Sequence, residues 1–349
     1  MASPFHLLLF FSFLSCLGNT FPVLGFHSNS VFFPVRKDAA TLQYVARISH
    51  GTPSGPTNLV VDLGGPFLWM DCDSRHVSSS NRLISSCSVN CSKAKFHDHG
   101  SKSAGGCLCN ADCNVFLYNG ITGLTAKGEL VEDIIAVDSV GRGHPLFGTK
   151  ITRSLVYAPL IIKQHDYFIN IQSIKINGKR LAVDKSMLLG DEEGKLGTKL
   201  STIVPYTTVK SSIYAIFSKA YAKAADSMNM TRVAAVAPFE LCFSSKGVEN
   251  TILGPLVPEI DLILQSEMVK WRIQGRNSMV QVSNQVMCLG FLDGGLEQSS
   301  SIVIGGLQLE DNLLEFDVGS SMLGFSSSLL LKETTCSTII QDTKRKQCI

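Results

Sequence analysis

The chain has 349 residues, of which 45% are hydrophobic and 17% charged, with a formal net charge of +2. That is enough apolar material for two lobes with real cores, and it excludes a disordered chain. The basic residues are scattered along the sequence apart from Lys344-Arg345-Lys346 near the end, so the electrostatic footprint of a nucleic-acid binder is missing.

In chain order, residues 1–25 contain the apolar run Leu7 to Leu14 followed by small and polar residues, which suits a secretory signal peptide better than a membrane span. No other segment is apolar for long enough to cross a bilayer, and the chain is expected to be secreted and extracellular, without a membrane span. Val31 to Val35 and Leu42 to Ile48 alternate apolar with polar residues, as half-buried strands do. Leu59-Val60-Val61-Asp62-Leu63-Gly64-Gly65-Pro66-Phe67-Leu68-Trp69 then reads as strand, acid, glycine turn and a second strand returning to the core. A buried strand ending in an ordinary surface Asp is the plainer reading of these residues taken alone.

Arg75 to Asn114 is rich in Ser, Gly, Asn and Cys, an irregular length that a compact domain tolerates only with staples. Of the 11 cysteines, Cys87, Cys91, Cys107, Cys109 and Cys113 crowd into it. Zinc is the competing reading, with His97 and His99 nearby, but in a secreted chain these spacings favour disulfides and match no common zinc module. No metal or cofactor is expected. Asn90-Cys91-Ser92 and Asn229-Met230-Thr231 are glycosylation sequons, and Asn90 lies where a bridge would hinder its modification.

Val115 to Val137 suggests a hairpin with its turn at Asn119-Gly120, and Asn177-Gly178 marks another after Ile174-Lys175-Ile176. Lys199-Leu200-Ser201-Thr202-Ile203-Val204-Pro205-Tyr206-Thr207 repeats the plan of the Asp62 stretch with Ser201 in the place of the acid. Ser212 to Met228 reads as a helix with Ile213, Ile216, Phe217, Ala220 and Ala224 on its apolar face. Strands follow over Ala237 to Leu264 and Trp271 to Gly290, carrying Cys242 and Cys288. Ser301 to Phe325 gives strand, Gly305-Gly306 turn, a short helix over Leu307 to Leu314, and strand Leu314 to Val318.

Taken together, the Asp62 and Ser201 stretches resemble the two active-site loops of pepsin-like aspartic proteases. The closer resemblance is to plant members that have lost proteolysis: extracellular dermal glycoproteins, xylanase and xyloglucan-endoglucanase inhibitors, and basic globulins. It runs from Phe33 to Thr338 and rests on Val61-Asp62-Leu63-Gly64-Gly65, Trp69-Met70-Asp71-Cys72-Asp73, the cysteine cluster, the Ser201 loop and Ile302-Val303-Ile304-Gly305-Gly306. The fold it implies is mostly β and bilobal, with a pepsin-like N-terminal lobe at 26–157 containing the insert 87–113, a C-terminal lobe at 166–338, and a tail at 339–349. It also implies a Cys242–Cys288 bridge. Between Val137 and Leu155 the relatives run several dozen residues longer, so the first lobe is expected to be shortened. The lost segment would carry the strand that crosses behind the Asp62 loop and two cysteines, which would leave Cys72 and Cys336 without partners and Cys348 odd.

Aspartic proteolysis needs two carboxylates sharing one proton, and Ser201 can be neither acid nor base near its normal ionisation range. Leu63 and Gly65 stand where the relatives with activity carry orienting hydroxyls, so Asp62 and Ser201 are read as relict residues, hydrogen-bonded to each other, in a protein that is not an enzyme. No Gly-x-Ser-x-Gly elbow, late histidine or phosphate loop offers other chemistry. The resemblance implies a protein inhibitor of microbial or plant glycoside hydrolases, inserting a cationic or imidazole group between closely spaced catalytic acids. The loop Asp293 to Ser301 carries no basic residue, and Arg232, Arg272 and Arg276 are the nearest alternatives. A storage or peptide-binding globulin, with peptides as partners, and a shortened non-functional isoform are the other readings; an active aspartic endopeptidase ranks below them.

Overall fold

The computed structural model describes residues 35–65, 67–71, 78–96, 111–137, 155–163, 165–190 and 196–335, all in one compact unit that begins at Phe33. The expected signal peptide, Cys72, His97, His99, Cys107, Cys109, Cys336, Cys348 and the 339–349 tail lie outside these residues.

The first lobe is a small sheet in which β1 (Val35–Lys37) and β6 (Ile135–Val137) pair with one edge of β2 (Tyr44–His50) and β3 (Gly55–Val60) with the other. Beside it, β4 (Asn114–Tyr118) and β5 (Thr125–Glu129) form the expected hairpin. Its loop is six residues rather than a two-residue Asn-Gly turn, because the Asn119 side chain accepts from the N–H groups of Ile121 and Thr122 and holds a wider turn. The cysteine-rich stretch folds α1 (Val89–Phe96), where Cys91 is bridged to Cys113 around a cluster of Ile84, Ala94 and Val115. Cys87 is also disulfide-bonded.

β7 (Val156–Pro159) and β8 (Ile161–Lys163) lead into β9 (Asp166–Ile169) and β10 (Ser173–Ile176), after which Asn177 and Gly178, both at positive φ, turn the chain as that dipeptide predicts. β11 (Leu196–Leu200) and β12 (Thr207–Val209) flank the Ser201 loop. The helix α2 (Ser211–Ser227) follows, then β13 (Arg232–Val233), β14 (Cys242–Ser244), β15 (Ile260–Ser266), β16 (Val269–Ile273), β17 (Met279–Ser283), β18 (Val286–Leu289), β19 (Phe291–Asp293) and β20 (Ser300–Ile304). α3 (Gly306–Leu309), β21 (Leu314–Asp317) and β22 (Met322–Phe325) close the unit, with β7 paired to β22. Cys242 and Cys288 sit opposite each other on paired β14 and β18 and are bridged.

α2 buries Ile213, Tyr214, Phe217, Tyr221 and Ala225, whereas Ile216, Ala220 and Ala224 are only half-buried. The inward stripe is therefore rotated toward the two tyrosines, whose rings fill more of the interface than the alanines would. Burial pushes the Tyr221 phenol far above its ordinary pKa, so it stays neutral. Most of the core lies here, around Trp271, Phe217, Phe243 and Phe325.

Candidate functional site

The Ser201 loop is built by the crossing of β20 behind it. β11 runs parallel to β20, β20 antiparallel to β12, and β12 parallel to β19, in a six-stranded sheet ordered β8-β9-β11-β20-β12-β19. Leu200 and Ile304 pair at the end of the crossing, and Ser201 N–H then donates to Ile304 O at 3.0 Å. The next turn stitches itself to the loop: Gly306 N–H donates to Val204 O at 2.9 Å and Leu307 N–H to Pro205 O at 3.0 Å. Gly305 allows that approach, since a Cβ there would lie 2.4 Å from the Tyr206 carbonyl carbon. Beneath it, Gln308 Oε1 accepts from Thr207 N–H and Oγ1–H while its amide donates to Asn277 O and Gly290 O, a buried network with every contact made.

The Asp62 loop has no such support among the described residues. Val60, Leu68 and Trp69 are 39%, 52% and 45% exposed, and of the second apolar run Phe67 turns in, onto the Cys91–Cys113 cluster. The second strand expected over Phe67 to Trp69 is thus not formed. The physical reason is visible by comparison with the other lobe: no described strand takes the place of β20 to pair with it and cover it.

Asp62 is exposed and Oδ1 accepts from the N–H of Gly64 at 2.7 Å, within its own turn. Ser201 is buried, and its Oγ accepts from the Ile203 N–H at 3.2 Å. The expected Asp62–Ser201 hydrogen bond is therefore replaced by two local ones. What joins the loops is Thr202, whose hydroxyl donates to Val61 O at 2.5 Å and accepts from the N–H of Leu63 at 3.3 Å. Leu63 has no hydroxyl to return the contact and instead packs its side chain on the core of the second lobe. Sequence reasoning passed over Thr202; laying the two loops side by side, Asp62-Leu63 against Ser201-Thr202, would have exposed it.

Other contacts press the lobes together around the loops. Gln43 Nε2 donates to Ile203 O at 3.3 Å, and Gly120, at the tip of the β4–β5 hairpin, faces the Ile203 side chain. Asp166 Oδ1 would lie 2.2 Å from a Cβ on Gly64, and its other oxygen meets Lys199 Nζ at 2.6 Å. That carboxylate is neutralised by an ammonium, not by a second acid. Tyr44 stacks so closely on Gly306 that a Cβ there would sit 2.1 Å from the ring, and its hydroxyl donates to Glu310 Oε1 at 2.6 Å beside Lys37. Burial, reinforced by Glu310, drives the Tyr44 phenol pKa well up, so the donor persists at any ordinary pH.

Of the three arginines considered from sequence, Arg272 is bound to Asp261 and Glu259 and Arg276 to Asp311. Arg232 is exposed and takes part in no salt bridge among the described residues. The Asp293 to Ser301 loop is braced by Asp293, which accepts from Gly295 N–H and Ser211 Oγ–H, and presents Leu296 at 70% exposure. Asn90 lies in α1 and donates to Glu132, whereas Asn229 is exposed in the left-handed region just past α2. Among the described residues no group of three His, Cys, Asp or Glu could hold a metal.

Comparison with known proteins places this geometry. Residues 44–154 match the family model described as xylanase inhibitor N-terminal, and residues 166–327 the one described as xylanase inhibitor C-terminal. A probable aspartic proteinase GIP2 of Nicotiana benthamiana is 35% identical, with 89% of this chain and 92% of that protein covered. Its alignment runs over 409 positions, more than the 349 residues of the whole chain, so the relative carries residues that this chain lacks. A gamma conglutin 1 of Prunus dulcis is 32% identical over 96% of this chain and 97% of its own. The crystal structure of EDGP superposes with a TM-score of 0.77 at 35% identity, covering 88% and 97%, and that of conglutin gamma, a basic 7S globulin from lupine seeds, with 0.70 at 26%, covering 88% and 98%. The chain belongs to the xylanase-inhibitor-type family of pepsin-fold, aspartic-protease-like proteins, with a shortened first lobe.

Proposed function

We propose that this chain is a secreted, non-proteolytic member of its family that acts as a protein inhibitor of glycoside hydrolases, with xylanases or xyloglucan endoglucanases as its partners. The observation that carries the reading is the match of both lobes to xylanase-inhibitor family models. The site supports the loss of proteolysis: Asp62 is exposed and bonded within its own turn, a buried Ser201 stands where the second acid would be, and Asp166 is held by Lys199. Among the described residues no helix is long and apolar enough to cross a membrane.

The hydrolase-facing surface belongs to the second lobe, where the braced loop offers Leu296 rather than a cation. An exposed apolar side chain on a rigid turn is a sound anchor for a concave partner, since little ordering entropy is lost on docking. The test is a titration of the secreted chain against a panel of xylanases and xyloglucan endoglucanases, following residual hydrolysis. Saturable inhibition that Leu296→Asp weakens supports the reading. No inhibition, while a longer relative inhibits in the same assay, refutes it. A second reading, a storage or peptide-binding globulin, is favoured by the conglutin and 7S globulin relatives. It is distinguished by peptide affinity without any effect on hydrolases.

A further inference from the structure

The two lobes repeat one ladder, and only the second lobe completes it. In the first lobe β1, β2 and β3 lie side by side; in the second β8, β9 and β11 do the same. The registers agree: Ala46 pairs with Leu59 as Ile169 does with Thr198, and Val45 with Val60 as Phe168 with Lys199. Val61 N–H donates to Tyr44 O at 2.8 Å where Leu200 pairs with Tyr167, and Asp62 and Ser201 come next. Pro66 follows Asp62 at the same spacing as Pro205 follows Ser201, so Leu68, Trp69 and Met70 are the counterparts of Thr207, Thr208 and Val209 in β12. In the second lobe β20 lies between β11 and β12, parallel to the first and antiparallel to the second. Among the described residues no strand takes that position in the first lobe. Because Val61 bonds inward to β2, alternation turns the N–H and C=O groups of Asn58 and Val60 outward, on an unpaired edge. The backbone of Leu68, Trp69 and Met70 makes no hydrogen bond among the described residues, and Leu68 is exposed where Thr207 is buried.

We propose that this position binds an extended apolar segment of another protein chain, entering parallel to β3 and antiparallel to Leu68–Met70 and carrying the pattern of β20, three aliphatic residues followed by two glycines. The register of β20, transferred to the first lobe, puts the first aliphatic residue of the guest beside Leu59 and Met70, the second beside Val60 and Trp69, and the third beside Val61. All five neighbours are apolar, so an aliphatic side chain finds an apolar cross-strand partner at each step. A glycine follows because Gly305 passes so close to the Tyr206 backbone that a Cβ would clash, and Phe67 is the counterpart of Tyr206. This chain has no spare segment of that kind. Ile302-Val303-Ile304-Gly305-Gly306 is its one run of three aliphatic residues before a glycine pair, and Ile302 and Ile304 are buried in their own sheet, in a second copy as in the first. Edge-to-edge pairing of two β3 strands is opposed by Pro56, which brings no N–H to the outer edge. The occupant is therefore a different chain, and the site does not depend on the glycoside-hydrolase reading.

The probe is a synthetic peptide of the Ser300–Gly306 sequence, with terminal lysines added for solubility, titrated into the full secreted chain. Of the two tryptophans Trp271 is buried and Trp69 exposed, so covering the position moves the emission toward the blue through Trp69. A saturable blue shift is expected. At saturating peptide, hydrogen exchange at the Val60 and Trp69 amides should slow at least about tenfold, with the Thr208 amide unchanged. The same peptide carrying Val303→Pro lacks the central N–H and should bind at least about tenfold more weakly. No saturable shift, equal binding of the proline peptide, or binding that leaves both amides unprotected overturns the proposal. So do Val60 and Trp69 amides that are already as slow as that of Thr208 in the free monomer, which would mean that the chain's own residues fill the position. Slow amides that appear only with dimerisation in the absence of peptide would mean that a second copy fills it, and overturn the proposal equally.

Discussion

Replacing Thr202 by Val keeps the shape of the side chain and removes the hydroxyl that ties the two loops. Two hydrogen bonds are lost, to Val61 O and from the N–H of Leu63, and both backbone groups are half-buried. A typical net contribution of about 1 kcal/mol per bond gives a loss of about 2 kcal/mol, with part of it the cost of leaving the Leu63 N–H without a partner. Thr202→Ser, which keeps the oxygen, should cost less than about 0.5 kcal/mol. Urea unfolding followed by circular dichroism measures the global term, and hydrogen exchange at the Leu63 amide measures the local one. The amide should exchange at least about tenfold faster in Thr202→Val, since about 1.4 kcal/mol corresponds to a factor of ten. Unchanged exchange at Leu63, with stability within about 0.5 kcal/mol of the parent, would show that Thr202 does not couple the lobes.

Ser201→Asp restores the missing acid in name only. Asp62 is exposed and bonded within its own turn, so no peptidase activity should appear on a fluorogenic substrate at acid pH; cleavage abolished by Asp62→Ala would contradict the reading. Asp261 is buried, which by itself raises its carboxyl pKa, but the two-pronged contact from Arg272 and the nearby Lys270 outweigh burial and hold it below the ordinary value. Its contribution is complete above the unfolded-state pKa of about 3.9 and is lost as pH falls through the lower folded value. Asp261→Asn should therefore cost about 3 kcal/mol at pH 7, the gap closing in acid; a gap that persists unchanged at the lowest pH of the titration would refute the sign. Glycosidase release in heavy-oxygen water followed by mass spectrometry should mark Asn229 rather than Asn90, because Cys91 of the Asn90 sequon is buried and bridged. Full occupancy at Asn90 would show that modification precedes that bridge.

By itself the sequence determined the two homologous loops, the family they belong to, and the turns whose chemistry is local. Asn177-Gly178 turns where that dipeptide prefers to, and the spacing of apolar residues set the length of α2 to within a residue at each end. These features depend on neighbours in the chain, so they are written there. Tertiary structure decided which residues meet across it. It turned Asp62 outward, placed Thr202 between the loops, drew Leu63 into the second-lobe core, and left Leu68 and Trp69 uncovered where an apolar run promised a strand. An apolar run becomes a buried strand only if another strand lies against it, and pairing partners are set by the fold rather than by the run.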